Sequence, residues 1–167
     1  MELNFRPLEK TDFKLFAEWL GEPHVSKWWH EPATVEHVSH EYGACTDGDF
    51  TTAVYVVQYG TKPIGIIQSF KLESYPETAK LLSMNGAVSI DYLIGDSDYI
   101  GQGYGTKMIQ QFVSSIVRKN YPGASGVATS AEVLNYASIG ALAKAGFKPG
   151  EIVTGEHGPE QVMRLRF

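Results

Sequence analysis

The 167-residue chain has little of what several protein classes require. It has one cysteine, Cys45, so no internal disulfide can form and a reducing compartment is the simpler expectation. A lone thiol of this kind reads as a small buried hydrophobe. Long apolar runs are missing as well. The opening residues, "MELNFRPLEKTDF", carry charge from the second position, which predicts neither a signal peptide nor a membrane anchor and points to a cytoplasmic protein. Positive charge is scarce: 14 Lys and Arg stand against 19 Asp and Glu, a net of −5. The imbalance is local, with ten acids facing three lysines between Glu31 and Asp98. Phosphate backbones call for a basic face, so a nucleic-acid partner is disfavoured. A cationic small molecule is drawn to such a field, although an acidic solvated surface has the same composition. Neither an internal repeat nor a linker interrupts the chain, which reads as a single domain, 1–167, with 43% hydrophobic residues to fill its core.

What is present reads as an α/β organisation. "LNFRPL" alternates as a strand does, and "TDFKLFAEWL" follows as a helix, with Thr11 or Asp12 placed to cap it and Phe13, Phe16 and Leu20 on one stripe. Gly21 and Pro23 are expected to end that helix. A second helix is expected in "TVEHVSHEYGAC", capped by Thr34. His37 and His40 lie three apart there, as metal ligands can, but no carboxylate stands at ligand spacing, so no metal is expected. "TTAVYVVQY" and "IGIIQSFKL" form a hairpin across a Gly and Pro turn. A polar loop leads to the strand "GAVSIDYLIG", a glycine-rich turn, the helix "YGTKMIQQFVSSIVRK" and the strand "SGVATSA". The helix "NYASIGALAKAGF" and a closing hairpin, "KPGEIVTG" with "EQVMRLRF", complete the chain. Strand, glycine turn, helix and strand from Gly86 to Ser130 make one right-handed crossover with a locally parallel pair.

The glycine turn carries the first chemical signal. Gly101, Gly103 and Gly105 on alternate positions ahead of a helix free its first N–H groups from side chains, which suits an anion. A tight strand-to-helix turn is the plainer alternative. The dinucleotide fingerprint fails because Thr106 stands where its third glycine belongs, and a Walker loop fails because the order is Gly105, Thr106, Lys107. Asp91 is the second signal. Ile90, Tyr92 and Ile94 share one strand face and Asp91 with Leu93 the other, so a carboxylate sits within an apolar strand and needs a partner. That partner is either a bound ammonium or the chain's own amides and lysines.

The turn resembles the pyrophosphate motif of the GNAT superfamily of N-acetyltransferases, Gln/Arg-x-x-Gly-x-Gly/Ala, with Gly103 and Gly105 at its small positions and Ile100 departing from its first. "NYASIGALAKAGF" is similar to that superfamily's second motif at Asn135, Ser138, Lys144, Gly146 and Phe147. "EWLGEPHVSKWW", "PIGIIQSF", "SIDYLIG", "GQGYGTKM" and "HGPEQVM" resemble, in order along nearly the whole chain, the aminoglycoside 6'-N-acetyltransferases.

This resemblance implies a GNAT fold of the α/β (α+β) class: a central mixed, mostly antiparallel sheet splayed between two parallel strands and flanked by about four helices. It implies acetyl-CoA as cosubstrate without a metal, held by Leu93, Ile94, Gln102, Gly103, Tyr104, Gly105, Thr106, Lys107 and Asn135. Backbone amides of Tyr92 to Ile94 are implied to face the thioester carbonyl, with Asp91, Tyr92 and Ser138 in catalytic roles. A cationic amine acceptor is implied to meet Trp28, Gln68, Glu73, Glu77, Asp91, Ser130 and Glu132, one of Trp28 and Trp29 being core and the other a wall. Leu142 replaces the tyrosine that protonates the departing thiolate in relatives, leaving Ser138 with a water, or Tyr136, as stand-ins. Ser130 replaces an acid, with Glu132 two residues on. No membrane partner is expected, and the chain is a monomer or homodimer. Acyl transfer to a hydroxamate-forming or protein amine, or a non-catalytic CoA-binding module, are the competing readings.

Overall fold

A computed structural model describes all 167 residues. The strands form a seven-stranded sheet in the order β1-β2-β3-β4-β5-β7-β6. By its contacts the chain divides into two compact units, Met1–Gln68 with Tyr92–Tyr104, and Ser69–Asp91 with Gly105–Phe167. The divisions fall within two strands, β3 (Lys62–Lys71) and β4 (Val88–Ile94).

The first unit opens with β1 (Leu3–Pro7), antiparallel to β2 (Thr52–Tyr59) with Leu3 opposite Tyr59 and Pro7 opposite Tyr55. Between them run α1 (Phe13–Leu20), α2 (Pro23–Trp29) and α3 (Val35–Thr46). Helical spacing puts Phe13, Phe16, Ala17 and Leu20 on one buried stripe, which packs with Val38, Val54, Val56, Ile66 and Leu93. Thr34 caps α3 by accepting the His37 N–H. Asp12 does not cap α1 as expected. Residues Lys10–Asp12 form a 3-10 turn, and the Asp12 carboxylate instead accepts two hydrogen bonds from Arg6, at 2.8 and 2.7 Å, and one from the Glu9 N–H. A bidentate guanidinium competes successfully with a helix terminus for one carboxylate.

The second unit contains α4 (Pro76–Leu82), α5 (Tyr104–Phe112, entered from Gly105), a π-helical continuation Val113–Val117, α6 (Arg118–Asn120), β5 (Gly126–Glu132), α7 (Tyr136–Lys144) and the hairpin of β6 (Lys148–Gly155) with β7 (Gly158–Arg166). β5 and β7 pair antiparallel from Gly126 opposite Arg166 to Glu132 opposite Glu160. β4 and β5 are the parallel pair, with Val88 opposite Val127. Phe70, Leu72, Leu82, Met84, Ala87, Ala128 and Val162 form its core. Arg164 secures α4 to β7. Its guanidinium donates to the Leu82 carbonyl, at 3.0 and 2.6 Å, and to the Glu151 carboxylate, at 2.9 and 2.6 Å, satisfying a helix-end carbonyl that would otherwise lack a partner.

Two helices, α2 and α4, stand where none was expected. α2 and α4 both begin on proline, Pro23 and Pro76. Proline at the first helical position loses no hydrogen bond, because that N–H has no intrahelical acceptor, and its fixed φ suits the helix. Pro23 therefore starts a helix where it was expected only to end one, and the expected polar loop before β4 holds a helix.

Candidate active site

The glycine turn is built from the end of β4. Gly95 and Asp96 both donate their N–H groups to the Ile64 carbonyl, and a 3-10 turn, Ser97–Tyr99, follows. Gly101 and Gly103 then take φ of +72° and +84°, and α5 starts at Tyr104. A Cβ added at either glycine meets no protein atom within 4 Å. The contrast with Gly95 is direct, since a Cβ there runs into the Trp19 ring. Packing excludes side chains at Gly95, whereas at the exposed Gly101 and Gly103 backbone conformation alone selects glycine, and the space beside each α-carbon is open. The first-turn N–H groups of α5 have no intrahelical acceptors, and the helix dipole adds positive potential there. These residues fit a pyrophosphate. Gly105 differs: its backbone is ordinary and its added Cβ stands 3.7 Å from Ala141, a normal contact.

Side chains around this loop serve to shape it. Gln102 donates its amide to the Asp98 carbonyl. The Tyr104 ring is buried edge-on against Tyr99 and Tyr59, with centroids 4.9 and 5.6 Å away. Only the backbone of Tyr104 is therefore open to a ligand. Thr106 is half-buried and Lys107 exposed.

The end of β4 is gripped by α2. Trp29 donates its indole N–H to the Tyr92 carbonyl at 3.2 Å, and His24 donates its Nε2–H to the Ile94 carbonyl at 2.9 Å. Trp29 also meets Phe16 edge-on at 6.2 Å. Trp29 is thus the structural member of the tryptophan pair, and half-exposed Trp28, with the Lys27 ammonium 4.9 Å over its ring, is the one left for a ligand. The Leu93 side chain is core, so its contribution to a cofactor is limited to its backbone; Tyr92 and Ile94 are half-buried.

In the second unit, register and alternation place Asp91, Ser130, Glu132 and Glu160 on one face of the sheet, the face that buries Ala87, Ala128 and Val162. Asp91 is half-buried. On the opposite face Thr129 donates its hydroxyl to the Ile90 carbonyl at 2.9 Å. Ser130 donates to a Glu160 carboxylate oxygen at 2.7 Å. Glu160 was absent from the expected site. Nothing local marks it, because only the β5–β7 register brings it to Ser130, although the shortness of the β6–β7 hairpin makes that register countable. Room for the carboxylate comes from Gly155, whose added Cβ would overlap it. No lysine, arginine or histidine nitrogen lies within 4.0 Å of Glu160.

Other expected residues are dispersed. Glu73 lies on a 3-10 turn, 3.9 Å from Lys71, and Glu77 in the first turn of α4; both are exposed, and neither is in a loop as expected. Gln68, on β3, has its Oε1 buried. Asn135 caps α7 by accepting the Ser138 N–H, at 3.2 Å, which leaves its amide nitrogen for a ligand. Leu142 is fully buried and Tyr136 is 73% exposed, so position 142 is a packing site. His37 is paired with Glu31 at 2.7 Å, and no group of three or more metal-ligating side chains is assembled.

A family model described as an acetyltransferase (GNAT) domain matches residues 9–154. Aminoglycoside N(6')-acetyltransferases type 1 of Klebsiella pneumoniae and Serratia marcescens are each 26% identical over 165 residues, covering 96% of this chain and 81% of theirs. A solved aminoglycoside acetyltransferase in complex with coenzyme A and kanamycin is 25% identical, with a TM-score of 0.82, and the match covers 99% of this chain and 95% of that one. The aminoglycoside N(6')-acetyltransferase of Legionella pneumophila, at 22% identity and a TM-score of 0.74 over 99% of this chain and 94% of its own, shares the fold.

Proposed function

The chain belongs to the GNAT acetyltransferase family, and from that premise we propose that it transfers an acetyl group from acetyl-CoA to an amino group of an aminoglycoside, at the 6' position, or of a similar cationic amine. The observation that carries this reading is the exposed turn at the start of α5, where Gly101 and Gly103 take positive φ and open space lies beside each α-carbon. We read residues 1–167 as one acetyltransferase domain of a cytoplasmic protein, working as a monomer or homodimer. No helix is long and apolar enough to cross a membrane.

Acetyl-CoA supplies the activated thioester. The backbone N–H groups of Gly103 to Lys107 hold its pyrophosphate, and those of Tyr92 to Ile94 donate to the thioester carbonyl oxygen, where negative charge grows as nitrogen adds to carbon. Hydrogen bonds from Trp29 and His24 to the Tyr92 and Ile94 carbonyls fix that segment and so aim its amides. Asp91, or a water it holds, accepts the proton that leaves the ammonium, which makes the nitrogen nucleophilic. Glu160, held by Ser130, and Glu132 add negative charge for further amino groups of the acceptor. Trp28 offers an apolar face. With Leu142 in the core, a water near Ser138 protonates the departing thiolate, and since thiols ionise near pH 8.5 this proton is the least demanding part of the reaction.

The test is release of free CoA from acetyl-CoA with a panel of kanamycin, spermidine, a hydroxamate-forming diamine and a lysine peptide. The expected result is release with kanamycin, with acetate on one amine by mass spectrometry. Release only with the peptide or the diamine, or with none, overturns the reading.

A further inference from the structure

The segment before the two open glycines is closed on itself by its own atoms, and one charged side chain from outside binds it. Asp96 accepts the Asp98 N–H on Oδ1 at 3.0 Å, Tyr99 N–H returns to the Asp96 carbonyl at 3.1 Å, and Gln102 donates to the Asp98 carbonyl. The other Asp96 oxygen, Oδ2, takes the Lys62 ammonium at 2.8 Å. The same ammonium lies 5.0 Å from the Tyr99 ring centroid, and that ring meets Tyr59 and Tyr104 edge-on. Lys62 stands at the start of β3, beside the Ile64 carbonyl that anchors Gly95 and Asp96. Two of the loop's own groups, one carboxylate and one aromatic face, are thereby clasped to the strand through one nitrogen.

We propose that Lys62 is a positioning residue for the glycine turn. Its clasp on Asp96 and Tyr99 holds the turn in its cofactor-binding shape before the cofactor arrives. A turn containing Gly101 and Gly103 has many conformations when untethered, and ordering it on binding subtracts directly from affinity. An exposed ion pair adds little to global stability, so the effect belongs to the local order of the turn. The proposal rests on the reading that this turn takes acetyl-CoA. A simpler role for Lys62, as a cation that attracts the phosphates, makes a different prediction for its partner: removing the Asp96 charge would then leave affinity unchanged or improve it.

The experiment is calorimetry of CoA binding to wild type, Lys62→Met, Lys62→Arg, Asp96→Asn and the Lys62→Met/Asp96→Asn double variant, with hydrogen exchange of residues 97–103 and steady-state kinetics. Expected are a Kd raised about 3- to 10-fold in Lys62→Met and in Asp96→Asn, and a double variant no worse than either single one. Lys62→Arg should stay near wild type, exchange of the turn should quicken in both single variants, and KM for acetyl-CoA should rise at unchanged kcat. An unchanged Kd in Lys62→Met, or a loss there that Asp96→Asn does not share, overturns the proposal. A wild type that binds no CoA overturns the cofactor reading instead, and the exchange rates tell the two failures apart.

Discussion

The glycine turn before α5 and the carboxylate face of β4, β5 and β7 reach a charged ligand by opposite means. At the turn, side chains are withdrawn or spent on shaping the loop: Gln102 bonds to Asp98, Tyr104 meets Tyr99 edge-on, and open space lies beside the α-carbons of Gly101 and Gly103. Between β5 and β7 the backbone is consumed by strand pairing, and side chains do the presenting, with Glu160 held out by Ser130. A backbone cradle recognises what every cofactor of one type shares, since amides bind phosphate whatever else the molecule carries. A side-chain face is adjustable one residue at a time. On the proposed reading, the difference teaches why the cofactor half of the reaction is easily recognised in a sequence while the other half sets the acceptor.

The largest expected effect comes from breaking the sheet side. Asp91→Asn keeps the shape and removes the charge, and loss of one partner from a desolvated ion pair is worth about 2 to 5 kcal/mol. We expect kcat/KM for kanamycin to fall by roughly 30-fold to several thousand-fold, with CoA affinity by calorimetry unchanged. Wild-type acceptor kinetics in a folded Asp91→Asn would show that the carboxylate is structural.

Breaking the turn should do the reverse. Gly103→Val adds a branched side chain where φ is +84°, on an open side of the turn. CoA binding is expected to weaken by about 2 to 4 kcal/mol, while Gly105→Ala, with an ordinary contact to Ala141 awaiting its methyl, should bind as wild type does. Equal loss in both variants would mean that close packing, and not the open positive-φ turn, explains the glycines.

A smaller effect sharpens the boundary between site and scaffold. Leu142→Tyr puts a ring into a fully buried position of α7. Overpacking of this kind costs roughly 1 to 3 kcal/mol, and a melting temperature lower by about 2 to 8 °C is expected by calorimetry, with no gain in rate over Leu142→Phe. A faster Tyr variant would mean that position 142 reaches the reacting atoms.

The smallest effect at neutral pH lies outside both regions. Arg164 pulls the Glu151 carboxyl down from 4.5 to about 2. A depressed carboxyl contributes stability that is present above its unfolded value and is lost as pH falls from about 4.5 toward 2. Glu151→Gln should therefore flatten the acid limb of a melting-temperature profile in that window and change little at pH 7. An unaltered acid limb would remove the pair from the account of how β7 holds α4.

Legibility followed the range of the interaction. Alternating strands, the glycines at 101 and 103 and the Thr34 cap were readable because each is decided by neighbours in the chain. α2 and α4 were not, since proline at a first helical position and proline ending a helix look alike until the flanking packing is known. Which tryptophan is structural depends on the Tyr92 carbonyl, 63 residues from Trp29. Asp12, one of the two candidate caps of α1, is taken by Arg6 for the same reason, since Arg6 reaches it from another element. Glu160 belongs to a pairing set by register, and the burial of Leu142 by the packing of α7, and neither leaves a mark in a motif.

On the proposed reading, Gly155 makes the acceptor side adjustable by one substitution. A methyl group at that position would not break the β6–β7 hairpin, because the atoms it displaces are the mobile end of Glu160. The carboxylate would swing off Ser130, and the negative charge would move without any acidic residue being gained or lost. On the proposed reading, a single base change, from a glycine to an alanine or serine codon at the tip of a hairpin, is expected to shift which amines the protein prefers. Lineages exposed to a new amine have a step available that spares both the cofactor turn and Asp91.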